Sequence, residues 1–393
     1  MNYANINNWL EGEIGKLDIS PTNYKKAVDR YTAVGNMIET RLRDEYNVDS
    51  HVYAQGSFML GTVVQPYGKD KEYDVDLVCE CDFTTQQKSP LELKKLIGKI
   101  ISEDSTYGKM LTDEGRRTWT IEYAEDCDLS FHIDVQPSIP GEYSQYEKAI
   151  LTTTKSKENQ NDYSWDNGNP LGLKDWFDSI NASSYNEIAF AQKRMLFESN
   201  NLIYASVDEI PKQLVVTKLQ RMIQILKRHR DIRFENKDYK DDKPNSMIIT
   251  ILASKVFSES NGNASLSDLL KLFADKVSTN VELLNRNSSN VTGLLIDRID
   301  GRYEISNPTV EENLAERWND SDNSKKRAFF DWTNWIHSDV EKLRDNTLLF
   351  EYEKRSFDSI VKDFSSSKTN TTLPIISEPK ELENKPQPWK DNV

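Results

Sequence analysis

The sequence predicts an α+β fold in which a mixed β sheet with flanking helices precedes an all-helical lobe. In the first 140 residues, short β-type runs alternate with amphipathic helical runs. From residue 171 onward, almost every apolar repeat has helical spacing instead. The chain has 393 residues, which is long enough for two domains of typical size.

The first half contains one long helix and four β-type runs. Residues 21–46 place apolar and small side chains at helical spacing, so they predict one amphipathic helix. Strands are predicted at residues 51–54, 72–79, 117–123 and 129–135, and a second helix at 90–102. Residues 142–169 are polar and predict a loop.

The second half predicts only helices, at residues 173–180, 184–197, 211–230, 246–257, 265–277, 310–318 and 328–343. Residues 365–393 are rich in Ser, Thr, Pro, Lys and Glu, which predicts a flexible tail. We therefore expect a sheet-containing lobe at residues 1–205, a helical lobe at 206–364 and the tail at 365–393.

Composition excludes several classes of protein. The chain has 50 Lys and Arg against 64 Asp and Glu, a formal net charge of −14, which disfavours binding to long DNA. No apolar run approaches the roughly 20 residues of a transmembrane helix, and the N-terminus lacks the features of a signal peptide. Three cysteines fit reduced thiols. We expect a cytoplasmic protein that binds neither long DNA nor a membrane.

Two carboxylates one residue apart form the sharpest motif. Residues 72–78 read Glu-Tyr-Asp-Val-Asp-Leu-Val, and strand side chains alternate between faces, so Asp74 and Asp76 project together while the apolar side chains turn to the core. Such a pair is stable beside a divalent cation, and its hard oxygen ligands suit Mg²⁺ or Mn²⁺. The structural alternative for this pair alone is a solvated strand face.

A second β-type run, residues 130–137, repeats the pattern with a single carboxylate, Asp134. If this strand lies beside the first, Asp134 joins Asp74 and Asp76. Three carboxylates on adjacent strands can hold two Mg²⁺ ions, which activate an attacking hydroxyl and stabilise a leaving pyrophosphate.

Gln55, Gly56 and Ser57 follow the first strand, where a glycine lets backbone N–H groups approach a phosphate and the Ser hydroxyl adds a donor. The spacing from Gly56 to Gly61 matches the start of a P-loop, but Thr62 and Val63 stand where that motif requires Lys and Ser or Thr. A P-loop NTPase is therefore excluded. Alone, the Gly-Ser pair is more typical of a turn.

Together, these residues resemble the motifs of a known superfamily. Gly56-Ser57 after a strand, Asp74-Val75-Asp76 and a separate Asp134 resemble the signature of the polymerase-β-type nucleotidyltransferase superfamily. Residues 219–231 and 243–249 resemble the helix pair of the cGAS/DncV-like nucleotidyltransferases (CD-NTases), the bacterial cyclic-oligonucleotide synthases of CBASS antiphage defence. The resemblance spans about residues 20–260.

The resemblance implies a polymerase-β-like catalytic lobe, with the active site in the cleft between it and the helical lobe. It implies that Asp74, Asp76 and Asp134 bind two Mg²⁺ or Mn²⁺ ions and that Asp134 helps to deprotonate the attacking hydroxyl. The nucleotide-binding residues that it implies are Gln55, Gly56, Ser57, Lys227, Ser246 and Met247.

Two of these positions have specific roles in the resemblance. Lys227 would neutralise the triphosphate, and it lies within residues 211–233, which hold seven Lys or Arg and one acidic residue. An ordinary solvated helix face is the alternative for this segment. Met247 occupies the position where some relatives carry an aromatic side chain that stacks on the donor base.

The implied activity is a template-independent joining of NTPs, with ATP among them, into a cyclic di- or trinucleotide. Its implied partners are an effector that responds to the product and accessory proteins of CBASS. The alternative is a linear nucleotidyl- or adenylyltransferase that modifies RNA, protein or a small molecule. A metal-dependent glycosyltransferase would not explain Asp134, Lys227 or Ser246, and a non-catalytic scaffold would not explain the complete set of carboxylates.

Overall fold

A computed structural model describes residues 3–68, 72–123, 130–141, 144–156, 159, 161–182, 216–260, 264–287, 290–345 and 355–366. The helices are α1 (Tyr3–Ile14), α2 (Pro21–Tyr46), α3 (Gly56–Leu60), α4 (Pro90–Ser102), α5 (Pro170–Asn181), α6 (Lys218–Phe234), α7 (Ser246–Ser258), α8 (Leu266–Arg286), α9 (Ser324–Arg344) and α10 (Phe357–Ser366). The strands are β1 (Ser50–Ala54), β2 (Glu72–Cys81), β3 (Trp119–Tyr123), β4 (Ser130–Pro140), β5 (Ile150–Lys155), β6 (Tyr163–Gly168), β7 (Asp297–Ile299) and β8 (Arg302–Glu304).

Strands β1 to β6 form one mixed sheet. Its order is β1-β2-β4-β5-β6, and β3 pairs with β4 off this path. The β2–β4 pair is parallel, whereas the other pairs are antiparallel. The mixed sheet that the sequence predicts is confirmed, and its one parallel pair joins the two strands that carry the predicted carboxylates.

Local sequence signals explain where the helices of this lobe begin. The Ser20 side chain accepts a hydrogen bond from the Asn23 backbone N–H, and Pro21 occupies the first helical position of α2. In α4, Ser89 and Glu92 form a reciprocal capping box. Both helices therefore begin at the predicted residues, 21 and 90.

Buried apolar side chains form two clusters. One packs α2 and α4 against the sheet, and the other joins α5 to α9 with α1 and α10. The short helix α3 links them, because Phe58 belongs to the sheet cluster while Met59 and Leu60 belong to the helical cluster. The connection between β1 and β2 is thus fixed to both halves of the protein.

Both terminal helices, α1 and α10, were absent from the sequence prediction. Ile6, Leu10 and Ile14 follow a four-residue spacing and are buried in the helical cluster. Phe357 and Ile360 bury the inner face of α10 in the same cluster. The predicted helix at 184–197, the lobe boundary at 205 and tail residues 367–393 lie outside the described residues.

The prediction of a loop over residues 142–169 is wrong. Residues 150–155 and 163–168 form β5 and β6, which pair with each other, and β5 also pairs with the end of β4. Thr152, Thr153 and Thr154 are buried. A run of β-branched threonines favours a strand even where most side chains are polar.

The helix predicted at 310–318 is also wrong, because only Glu316–Asn319 forms a single 3-10 turn. Asn313 holds the preceding segment as a loop. Its Oδ1 accepts hydrogen bonds from the N–H groups of Ile305 at 3.0 Å and Ala315 at 2.8 Å. Asn side chains that bond neighbouring backbone groups compete with helix formation in this way.

The second half is not purely helical, since β7 and β8 form a small hairpin. Asp300 and Gly301 connect the two strands with φ angles of 50° and 79°. Asp-Gly is the dipeptide that favours a two-residue hairpin turn with both φ angles positive. No helix in the described residues is long and apolar enough to span a membrane.

A lysine is completely buried beneath the sheet. Lys94 of α4 is 0 % exposed, and its ammonium donates a hydrogen bond to the Thr118 carbonyl at 3.0 Å. Burial lowers the pKa of Lys94 from the ordinary 10.5 to about 7, although Glu114 opposes this shift. The charged form of this side chain therefore destabilises the folded state.

Lys94→Met should remove a pH dependence of stability. Between about pH 7 and 10.5 the folded state binds fewer protons at Lys94 than the unfolded state, so the wild-type free energy of unfolding should rise with pH in this window. Urea denaturation at about pH 7, 8.5 and 10 measures the slope, which should be smaller in Lys94→Met. Lys95→Met is the control, because that side chain is 55 % exposed. Equal slopes in wild type and Lys94→Met would contradict this explanation.

Candidate active site

The register of the parallel pair brings the predicted carboxylates together. Asp76 lies directly opposite Asp134, and Asp74 lies opposite His132. Along both strands the alternating apolar residues are buried, including Val75 and Ile133 at 0 % exposure. The three aspartates therefore share the face of the sheet that points away from the apolar core, as the sequence predicts.

The electrostatics of this cluster are unfavourable without a cation. Burial raises the pKa of Asp76 to about 7, and the negative charges of Asp134 and Asp74 raise it further, while Lys227 opposes them. Thr120 Oγ1 donates a hydrogen bond to Asp134 Oδ1 and fixes that side chain. The cluster thus holds more negative charge than its neighbours compensate.

The segment after β1 lies against Asp76. The Gln55 N–H donates to the Asp76 carbonyl at 2.8 Å, and Gln55 Nε2 donates to Gln136 Oε1 at 3.0 Å. Gly56 has a φ of +61°, and a Cβ at this position would lie 2.8 Å from Asp76 Oδ2. A glycine is therefore required here for two reasons, backbone conformation and close approach to the carboxylate.

Helix α6 supplies the opposite wall. Lys227 is 6 % exposed, and its ammonium donates to the carbonyl of Thr62 at 3.2 Å and to its Oγ1 at 3.1 Å. Burial lowers the pKa of Lys227 to about 7, with Arg230 lowering it further and Asp231 and Asp76 opposing. Lys227, which is predicted to bind the triphosphate, thus contacts the segment between α3 and β2.

Helix α6 holds this segment at several points along its length. Four of its side chains donate hydrogen bonds of 2.8 to 3.2 Å to backbone carbonyls of residues 60–65: Gln220 to Leu60, Gln224 to Val63, Lys227 to Thr62 and Arg228 to Gln65. Side chains of the helix, instead of a neighbouring strand, form the hydrogen bonds to the backbone carbonyls of this segment. These contacts explain why so many polar residues of α6 are buried.

A cleft of about 770 Å³ lies between the sheet and α6 and α7. Of the predicted site residues, it is lined by Gly56, Ser57, Asp74, Asp76, Lys227, Ser246 and Met247. Gln55 and Asp134 do not line it but contact or oppose residues that do. The structure therefore brings all predicted site residues into one region, at positions far apart in sequence.

Sequence reasoning missed several residues of the cleft. They include Glu72, Thr62, Arg230, Asp231, Lys243 and Asn245. Helical spacing in the sequence does place Arg230 on one stripe with Lys227, three residues earlier on α6, but it assigns no site role to Arg230. No sequence pattern marks Thr62 as a site residue, because its contact with Lys227 depends on the approach of two segments that are distant in sequence.

A second group with metal-ligand side chains lies on the helical lobe. Ligand atoms of Asp275, His337 and Glu341 lie within 4.8 Å of one another. Lys271 already pairs with Asp275 at 3.0 Å and with Glu341 at 2.6 Å. This surface cluster is on α8 and α9 and is separate from the carboxylates of the sheet.

Gly56→Ala should reduce the pyrophosphate release from NTPs that the sequence resemblance implies by at least about 100-fold, because the new Cβ would displace the Asp76 carboxylate. The positive φ adds a destabilisation of about 1 kcal/mol. Gly293→Ala is the matched control, since Gly293 has a φ of +80° and open space where the Cβ would lie. If both variants lose similar stability but only Gly56→Ala loses activity, the result would support the close approach of Gly56 to the Asp76 carboxylate. Full activity of Gly56→Ala would contradict it.

The sequence is similar to those of known synthetases. A family profile described as a Second Messenger Oligonucleotide or Dinucleotide Synthetase domain matches residues 5–181. A c-di-GMP synthase of Roseivirga ehrenbergii is 24% identical over 346 residues, which are 87% of this chain and 81% of that protein. The cyclic dinucleotide synthase CdnG of Bradyrhizobium diazoefficiens is 26% identical over 227 residues, 56% of this chain and 51% of that protein.

Solved structures share the fold. The Bradyrhizobium diazoefficiens CD-NTase CdnG in complex with GTP matches with a TM-score of 0.67 and 20% identity, over 92% of this chain and 98% of that chain. CdnC of E. coli MS115-1 with ATP matches with a TM-score of 0.59 and 13% identity, over 92% and 99% of the two chains. Vibrio cholerae DncV, a cyclic AMP-GMP synthase, matches with a TM-score of 0.53 and 12% identity, over 89% and 94%. Residues 5–181 thus match the synthetase domain, and the chain shares the fold of the CD-NTase CdnG and of CdnC and DncV.

Proposed function

We propose that this enzyme joins two or three nucleoside triphosphates into a cyclic oligonucleotide, with a cyclic dinucleotide as the main product. The observation that carries the proposal is the direct register of Asp76 with Asp134 at the edge of a cleft that also contains Lys227 and Ser246. Support for a cyclic dinucleotide comes from the Roseivirga ehrenbergii relative, a c-di-GMP synthase aligned over 81% of its length.

The carboxylates fit divalent cations. Asp74, Asp76 and Asp134 offer hard oxygen ligands, and the raised pKa of Asp76 reflects burial together with uncompensated negative charge. We infer that these three residues would hold two Mg²⁺ ions, or Mn²⁺. When bound, such ions neutralise the charge that develops on the reacting phosphate and leaving group. The proton acceptor nearest to the attacking ribose hydroxyl would be the Asp134 carboxylate.

The remaining residues would bind and orient the triphosphate. Gly56 brings its segment close to Asp76, and the Ser57 hydroxyl would donate to a phosphate oxygen. Lys227 and Ser246 lie on the opposite wall and would contact the other end of the triphosphate. A ribose hydroxyl of one nucleotide would then attack the α-phosphate of another, forming a P–O bond as pyrophosphate leaves, and a second such attack would close the ring.

Met247 lies beside Ser246 in the cleft and would pack against the donor base. A methionine contributes dispersion without a directional hydrogen bond, so it would tolerate either purine. We propose ATP and GTP as the first substrates to test.

The product would act as a second messenger for an effector protein. We propose that the enzyme works in the bacterial cytoplasm, within antiphage CBASS signalling, together with accessory proteins. A structure of CdnC in complex with a HORMA protein matches this chain with a TM-score of 0.57 and supports the search for an accessory protein.

Asp76→Asn and Asp134→Asn should each lower product formation by at least about 1,000-fold, because each removes a negatively charged oxygen ligand. Neither substitution should destabilise the metal-free protein, since it relieves repulsion among the three carboxylates. Thermal unfolding and turnover measure the two effects. Asp29→Asn, on an exposed face of α2, is the control and should leave both unchanged. A folded variant that keeps more than about a tenth of wild-type turnover would contradict the assignment.

Incubation of the protein with four radiolabelled NTPs and Mg²⁺ or Mn²⁺, followed by phosphatase, tests the proposed product. We expect a phosphatase-resistant cyclic dinucleotide that is absent with Asp76→Asn, and omission of single NTPs would identify its bases. A product that phosphatase degrades, or label on added RNA or protein, would instead support the linear transferase.

A further inference from the structure

The hydroxyl of Ser246 is held by a cation of the neighbouring helix. Arg230 Nη1 donates hydrogen bonds to Ser246 Oγ at 2.9 Å and to the Pro244 carbonyl at 2.9 Å. Arg230 therefore fixes both the backbone before α7 and the first side chain of that helix. Its own side chain is only 7 % exposed, although it lines the cleft.

Arg230 is itself held in place by an acidic neighbour. Its Nε donates to Asp231 Oδ1 at 2.9 Å and its Nη2 lies 2.8 Å from the same oxygen. Lys243 also pairs with this oxygen, at 3.2 Å. Burial by itself would raise the pKa of Asp231, but Arg230 and Lys243 outweigh it, and the pKa is lowered. Arg230, Asp231, Lys243 and Ser246 therefore form one connected network from α6 to the start of α7.

This arrangement determines what the Ser246 hydroxyl can do. A serine hydroxyl has one proton to donate, and its oxygen here accepts a hydrogen bond from Arg230. Within the described residues, no hydrogen-bond acceptor contacts that hydroxyl proton, and Ser246 lines the cleft beside Met247. The proton is therefore free for a ligand in the cleft. A hydrogen bond from a guanidinium also polarises the O–H group and strengthens its donation.

We propose that Arg230 is a positioning residue that orients the Ser246 hydroxyl toward a phosphate oxygen of the bound nucleotide. The ligand class is the triphosphate of the substrate, so the inference rests on the proposed function. In this role Arg230 acts through Ser246 and does not itself contact the phosphates.

A double-mutant cycle tests this proposal without turnover. The affinity of nonhydrolysable GTP and ATP analogues, with Mg²⁺, is measured by calorimetry for wild type, Arg230→Met, Ser246→Ala and the double variant. We expect each single substitution to weaken binding about tenfold and the double variant to bind no more than about twofold more weakly than the weaker single variant. Arg230→Lys should recover part of the affinity, because its ammonium can still donate to Ser246 Oγ.

Multiplicative losses, about 100-fold in the double variant, would mean that Arg230 contacts the nucleotide directly and would overturn the proposal. Lys218→Met is the control, because Lys218 lies on the same helix but donates to the Ala264 carbonyl on another side. Thermal unfolding confirms that each variant folds, and Asp231→Asn replaces Arg230→Met if that variant does not.

The same measurements separate this inference from the proposed function. If the two substitutions weaken binding non-additively but the wild type forms no cyclic product, the role of Arg230 would be supported and only the proposed product would be overturned. If the wild type forms the cyclic product but the losses of affinity are multiplicative, only the role of Arg230 would be overturned. Failure of the wild type to bind either analogue would overturn both.

Discussion

The structure depends on the parallel pairing of β2 with β4, which places Asp76 opposite Asp134. Both strands bury an apolar face, so neither can shift by one residue without moving its carboxylates into the core. The fold thereby holds like charges together and supports them with the burial of Val75, Ile133 and their neighbours. Burial of apolar side chains in the core offsets the destabilisation that the carboxylates cause by repelling one another. This is a common feature of sites that bind a cation.

Helix α6 is the second requirement, because it aligns the segment between α3 and β2 with the cleft. Its side chains satisfy carbonyls of residues 60–65, and its Lys227 faces the region of Asp76. On the same helix, His229 and Arg233 bond the buried Asp339 of α9. Helix α6 is thus fixed on one side to α9 and on another to the segment between α3 and β2, which couples the two halves.

Much of the fold and site was predictable, and the failures have physical causes. Alternation in β2 and β4 revealed the carboxylates because one face of each strand is buried, and α2 begins with a clear cap and proline. The polar composition of β5 hid its strand-forming threonines, and the Asn313 side chain prevented a predicted helix by bonding backbone N–H groups nearby in the sequence. Contacts of Lys227 with Thr62 and of Arg230 with Ser246 join segments far apart in sequence or on different helices, so only the three-dimensional structure reveals them.

The central claim is that the three aspartates of the sheet form the cation site of a nucleotidyltransferase. Anomalous diffraction from crystals grown with Mn²⁺ and a nonhydrolysable GTP analogue tests it most directly. The account predicts anomalous peaks within ligand distance of Asp74, Asp76 and Asp134, with the triphosphate between them and Lys227. A bound analogue without a peak at these carboxylates, or a peak only at Asp275, His337 and Glu341, would contradict it.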